Sequence, residues 1–203
     1  MLILFTSEMN AMKVFIIYCH PSGKSFTAKV LRAFCDGLRE AGHVYVVSDL
    51  YAMGFRTDLS PEEYEREGHY RDDLPVPPDV LAEQEKINAC DCIAFVYPVW
   101  WADCPAKLKG WFDRVLTVGF AYGTEHNSIR PVRKALFLCT AGHSAEKLEA
   151  QGVAQSMRIV SLNDRIHARA GASEMIVLGG QVEHDEAKMQ QNLLTAFEAG
   201  RNL

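Results

Sequence analysis

Three short stretches hold residues whose types and spacing could do chemistry. The first, His20-Pro21-Ser22-Gly23-Lys24-Ser25-Phe26-Thr27, gathers small, hydroxylated and cationic residues ahead of a helical pattern. Free amides, hydroxyls and the positive end of a helix dipole would cradle a phosphate there. The same residues also read as a plain N-cap turn with a surface lysine, and His20 as a packed strand-end histidine. They match neither GxxxxGKS/T nor GxGxxG, so neither a P-loop kinase nor the standard dinucleotide fingerprint is supported. The second stretch, Pro98-Val99-Trp100-Trp101, leaves two adjacent indoles on a short loop, which suits a flat aromatic ligand better than a structural plug. The third, Thr140-Ala141-Gly142 followed by His143, has small residues that let main chain approach a ligand closely. Metal chemistry finds no cluster: Cys90-Asp91-Cys92 lacks the spacing and the second pair that zinc requires. A G-x-S-x-G nucleophile elbow is also absent.

These stretches are positioned by a repeating strand and helix pattern. Lys13 to Cys19 and Ile93 to Tyr97 are apolar runs of the kind buried on both faces of a sheet, and Pro98 ends the second. Phe26, Val30, Phe34 and Leu38 mark a helix that Ala41-Gly42 stops, and His43 to Leu50 reads as the next strand. A helix is predicted over Asp79 to Cys90. Pro105 can start another, in which Leu108, Trp111, Phe112 and Val115 share one face. Lys134 to Thr140 and Glu174 to Leu178 are strands, with a helical region from about Ser144 to Asn163 between them. A last helix spans Glu183 to Phe197, with Leu193, Leu194 and Phe197 inward. Tyr51 to Pro78 is the least regular part; its acidic patch of Glu62, Glu63, Glu65 and Glu67 reads as a solvated surface or a docking site.

Five strands alternating with helices predict a doubly wound α/β sheet, whose strand order periodicity does not fix. The three stretches then stand at the carboxyl ends of strands one, three and four, where such sheets bind ligands. A phosphate at one end and a planar ring at the other fits the flavin mononucleotide portion of a cofactor.

The chain of 203 residues suits one domain, here residues 13–203 behind an N-terminal extension of residues 1–12. A net charge of −5 without a basic run disfavours nucleic acid and membrane surfaces. The apolar run Met1 to Phe5 is too short for a signal peptide or a membrane span. Cys19, Cys35, Cys90, Cys92, Cys104 and Cys139 lie mostly in apolar elements, as free thiols of a reducing compartment do. A soluble cytoplasmic protein is expected.

The sequence resembles the flavodoxin-like NAD(P)H:quinone oxidoreductases, the group of the mammalian quinone reductases and their shorter bacterial relatives. The resemblance runs in family order over about residues 13 to 142. It is carried by His20 with Ser25-Phe26, by Ser48 to Phe55, and by Asp79 to Lys86. Tyr97 to Trp101, Pro105 to Val115, Phe120 to Gly123, and Thr140 to Gly142 complete it. The P-A-x-L-K-G-W-F-D/E-R-V segment is its most specific part. The resemblance implies a flavodoxin-like five-stranded parallel sheet in the order 2-1-3-4-5, with helices on both faces. It implies a homodimer binding FMN or FAD at its interface, with hydride passing from NAD(P)H to flavin and then to a quinone-like acceptor. By position, His20, Lys24, Ser25, Phe26 and Thr27 would hold phosphate. Pro98, Val99, Trp100 and Trp101 would line the ring, with Thr140, Ala141 and Gly142 on its polar edge. Tyr122 would reach towards the other subunit's substrate cavity.

The long mammalian enzymes carry a tyrosine and a histidine shortly after the third loop; Lys147 to Ala154 contains neither. Either the reduced flavin is supported differently or His143 substitutes. Two other classes share the fold. A flavodoxin-type electron carrier is disfavoured by the missing T-x-T-G-x-T loop, and a flavoprotein regulatory subunit of a potassium efflux system would dock through the acidic stretch.

Overall fold

The computed structural model describes residues 11–203; residues 1–10 of the expected extension lie outside the described part. The apolar runs form strands β1 (Lys13–Tyr18), β2 (Val44–Asp49), β3 (Cys92–Pro98), β4 (Val132–Thr140) and β5 (Ala170–Leu178). All pair in parallel, in the order β2-β1-β3-β4-β5. This is the order the resemblance implied. Tyr18 stands opposite Val96 and Val96 opposite Leu138. Two residues further on, the three strands deliver His20, Pro98 and Thr140 to one level, which is why distant stretches of sequence meet.

The helices are α1 (Phe26–Glu40), α2 (Pro61–Gly68), α3 (Pro78–Ala89), α4 (Ala106–Val115), α5 (Ala145–Ala150), α6 (Val153–Arg158) and α7 (Glu186–Arg201), with a π-helix at Ile159–Ile166. Strand side chains alternate between two cores, as a period of two requires. Phe15, Ile17, Phe95, Tyr97 and Phe137 pack with Val80 and Ile87 of α3 and with Leu108, Trp111, Phe112 and Val115 of α4. Val14, Ile16, Ala94, Val96, Leu136 and Leu138 pack on the opposite face with Val30, Phe34 and Leu38 of α1 and Ala196 of α7. Helices α1 and α7 cross closely. A Cβ on Gly37 would stand 2.0 Å from the Phe197 carbonyl oxygen, and one on Gly200 2.3 Å from that of Phe34.

Several local expectations are corrected. The stretch read as irregular contains α2, started by Pro61 and by a capping box in which Ser60 and Glu63 satisfy each other's amides. Its acidic patch is not all surface: Glu63 is buried against Arg114, and Glu67 pairs with Arg66. The helical region expected after β4 is present as α5, α6 and the π-helix, with a break at Gly152, which takes φ 73°. Helix α4 starts directly after Pro105, as expected, with that residue at the N-cap position. Leu194 is half exposed, while Leu193 packs inward. Among the described residues, no helix is long and apolar enough to cross a membrane.

Candidate functional site

The loop after β1 is built from its own polar groups. Ser22 donates its amide to His20 Nδ1 at 2.9 Å, and Ser22 Oγ accepts from the Lys24 amide. Because Nδ1 accepts, the proton of the neutral ring sits on Nε2. Partial burial lowers the His20 pKa, against the Ser22 contact, so the neutral form prevails near pH 7. Ser25 caps α1 by accepting from the Ala28 amide. The amides of Phe26 and Thr27 open the helix and have no acceptor among the described residues. The Tyr18 hydroxyl is buried beside Ser25 without a well-formed hydrogen bond, and burial raises its pKa so that it remains a phenol. The Lys24 side chain is exposed.

The three loops are joined to each other. Thr27 Oγ1 and Thr140 Oγ1 are 2.7 Å apart and buried, tying α1 to the end of β4. Val99 donates its amide to the Thr140 carbonyl at 2.7 Å. The His20 and Trp100 rings meet edge to face, with centroids 6.4 Å apart. Ala141 donates to Leu178, while the amides of Trp101, Gly142 and His143 have no acceptor among the described residues. The His143 carbonyl accepts from Gly180, and Lys147 Nζ lies 3.3 Å from the His143 ring.

The tryptophan loop is a tight turn. Trp100 and Asp103 exchange both backbone hydrogen bonds, and the residues between them, Trp101 and Ala102, have φ of 53° and 62°. Two consecutive left-handed residues normally call for Asn-Gly. With side chains present, the conformation costs roughly 1–2 kcal/mol per residue. The Trp101 side chain projects wholly into solvent, 100% exposed, beside Trp100 at 43%. Asp103 closes the turn: its carboxylate accepts from the Cys104 amide and takes a two-pronged grip from Arg165 at 2.8 and 2.9 Å. Burial pushes the Asp103 carboxyl up, but Arg165 and the Cys104 amide outweigh it and hold it below its ordinary range.

Eleven of the expected site residues therefore converge: His20, Ser25, Phe26, Thr27, Pro98, Val99, Trp100, Trp101, Thr140, Ala141 and Gly142. Tyr122 is engaged elsewhere in its own chain. Its hydroxyl donates to Glu67 at 2.9 Å and its ring meets Tyr70 edge to face. Burial and the Glu67 carboxylate push its phenol up to about 12. Sequence reasoning passed over Asp103 and Arg165. The pair spans 62 positions, and the widened helix that buries Arg165 leaves no periodic signature. Among the described residues, no group of side chains could hold a metal ion.

Residues 12–195 match a family model described as a flavodoxin-like fold. A structure of an NAD(P)H:quinone oxidoreductase from Methanothermobacter marburgensis is similar at 50% identity and a TM-score of 0.90, covering 95% of this chain and 96% of that one. The NAD(P)H dehydrogenase (quinone) 1 of Rattus norvegicus is 32% identical over 173 residues, 75% of this chain and 61% of its own length. The chain spans about three fifths of the first curated relatives it matches. The general stress protein 14 of Treponema denticola, solved in complex with FMN, is 25% identical with a TM-score of 0.62, covering 92% of this chain and 95% of that one.

Proposed function

Because the chain belongs to the family defined by this flavodoxin-like fold, we propose that it is a flavin-dependent NAD(P)H:quinone oxidoreductase. The observation that carries the reading is the joining of the three loops. A helix start with free amides is locked through Thr27 and Thr140, and through His20 and Trp100, to an exposed aromatic loop with further free amides. The Treponema relative solved with FMN supports FMN as the flavin.

When bound, the flavin supplies a ring that takes up hydride from the nicotinamide and gives it to the acceptor. The chain does the rest. The Phe26 and Thr27 amides, the Ser25 hydroxyl and His20 Nε2–H are donors for the phosphate, with the exposed Lys24 adding charge at the rim. Trp100 and Trp101 offer flat faces, and the Trp101, Gly142 and His143 amides offer donors to the polar edge of the ring. Lys147, whose Nζ lies beside the His143 ring, brings positive charge to that edge, where negative charge would build up. A solvent-exposed indole beside a ligand site is an apolar surface for a partner to cover, so we assign the enzyme a homodimeric form. The protonated Tyr122 is assigned to the neighbouring subunit's acceptor cavity. Six buried free thiols support a reducing compartment such as the cytoplasm.

The test is an absorbance spectrum after reconstitution with FMN and with FAD, followed by anaerobic titration with NADPH. Flavin bands that bleach and return on adding a quinone are expected. Bound flavin that NADPH and NADH both fail to reduce would overturn the reductase assignment, and failure to bind either flavin would overturn the site. Sedimentation of the reconstituted protein as a monomer would remove the dimer.

A further inference from the structure

The strained turn that carries the tryptophans needs something to hold it, and the structure shows one candidate. Two backbone hydrogen bonds between Trp100 and Asp103 close the turn over two left-handed residues. Alone they would compete with unstrained loop conformations, since strained backbone persists only where its surroundings over-determine it. The outside hold is Arg165. Its guanidinium is 6% exposed, lies over the Phe112 ring at 4.9 Å, and grips both oxygens of Asp103. Phe112 in turn sits in the core against Phe95 and Trp111, so the grip is anchored to the sheet.

The delivery of Arg165 is itself unusual. It comes from the π-helix Ile159–Ile166. The widened turn brings Ser161 and Arg165 into the interior together, with Ser161 beside the Tyr97 phenol at the end of β3. Helices of this kind are rare and recur at functional sites. Here the widening places two polar side chains beneath the loop that follows β3. The Arg165 charge is matched by Asp103, so its effect on the site would come through geometry more than through a net field.

We propose that Arg165 is a positioning residue: acting through Asp103, it holds the Trp100–Asp103 turn in the conformation that presents the indoles and the Trp101 amide to the flavin ring. This rests on the flavin reading of the site, but its first test does not require flavin. In flavin-free protein, hydrogen exchange of the Asp103 amide, which donates to Trp100, is expected to quicken at least about tenfold in Arg165→Met and in Asp103→Asn. Asp103→Asn keeps an acceptor for the Cys104 amide and for one prong of Arg165, at a side chain that is itself partly exposed. It therefore carries the same test should Arg165→Met fail to fold. In the second test, both variants are expected to bind FMN at least about tenfold more weakly than the parent. The double variant should be no worse than the poorer single, because both substitutions break one hold. Arg165→Lys keeps the charge without the fork, and is expected to lose nearly as much. Unchanged Asp103 exchange in the variants overturns the proposal. So does FMN affinity within twofold of the parent with an unaltered flavin spectrum. Opposite shifts in flavin potential for the two single variants would replace the positional role with an electrostatic one. A parent protein that binds neither FMN nor FAD would instead remove the flavin reading, while the exchange measurement still decides whether Arg165 holds the turn.

Discussion

Trp101 contributes nothing to the core of its own chain, since its side chain lies wholly in solvent. Replacing it with alanine removes no apolar area buried within its own chain, so the melting temperature of the flavin-free monomer should stay nearly unchanged and any loss should fall on the dimer. Flavin retention should fall at least about tenfold, as an aromatic face is removed from the ring. Unchanged FMN affinity in the folded variant would sink that placement. The hydroxyl pair of Thr27 and Thr140 makes the opposite prediction. Either Thr→Val substitution strands a buried hydroxyl and should cost about 1–3 kcal/mol. The double Thr27→Val, Thr140→Val variant should recover part of that loss, which denaturant unfolding of all four proteins would show. At this scale the sequence was informative where a strand pattern ended in residues unsuited to continue it, as at Pro98 and after Thr140. It was silent about Arg165, whose meaning comes from a partner 62 positions away and from a helix widened by packing.

The elements that position the site depend on backbones meeting closely. Helices α1 and α7 touch where Gly37 and Gly200 lack side chains. Gly37→Ala should force the helices apart and lower stability by roughly 2 kcal/mol or more, because the contact is backbone that cannot swing away. Thermal denaturation would check this. Since α1 also carries the Ser25 cap and the free amides, weaker phosphate binding should accompany it. The glycines were visible in the sequence, but which helix each met was not. Helix α2 was legible in principle, because Ser60, Pro61 and Glu63 form a capping signature. Its residues are so polar that no apolar stripe drew attention to them. Leu194 misled for the reverse reason: an apolar residue at helical spacing ended up half exposed at the edge of a broad stripe.

Across the whole molecule, the segment from Arg56 to Asp79 is fastened to helix α4 by charge. Arg114 is fully buried and bonds to Glu63, Asp79 and the Arg56 carbonyl. Burial raises the Glu63 pKa, but Ser60, Arg114 and Arg56 more than reverse it. The bond to Arg114 lowers that of Asp79 against its partial burial. Both carboxyls are thus more acidic folded than unfolded, so their stabilisation is full above the unfolded carboxylate range, around pH 4. It drains away as pH falls through the lower folded values. Melting temperatures should be nearly flat from neutrality to about pH 5 and fall steeply below about pH 4. Arg114→Met should unfold far more easily at neutral pH, by about 3–5 kcal/mol, because it strands a buried carboxylate. An acid limb no steeper than that of Arg114→Met would refute the assignment.

The six cysteines are all buried, and burial raises every one of their pKa values, to about 12 at Cys19, Cys104 and Cys139. Quinones are electrophiles that add to thiolates, and only the thiolate is an effective nucleophile. A quinone reductase built from this chain would therefore meet a reactive substrate without offering it a sulfur to alkylate. Incubated with excess benzoquinone and no reductant, the folded protein should keep its cysteines unmodified by mass spectrometry, whereas the unfolded chain should not. For a quinone reductase, sulfur buried in this way is shielded from the enzyme's own substrate.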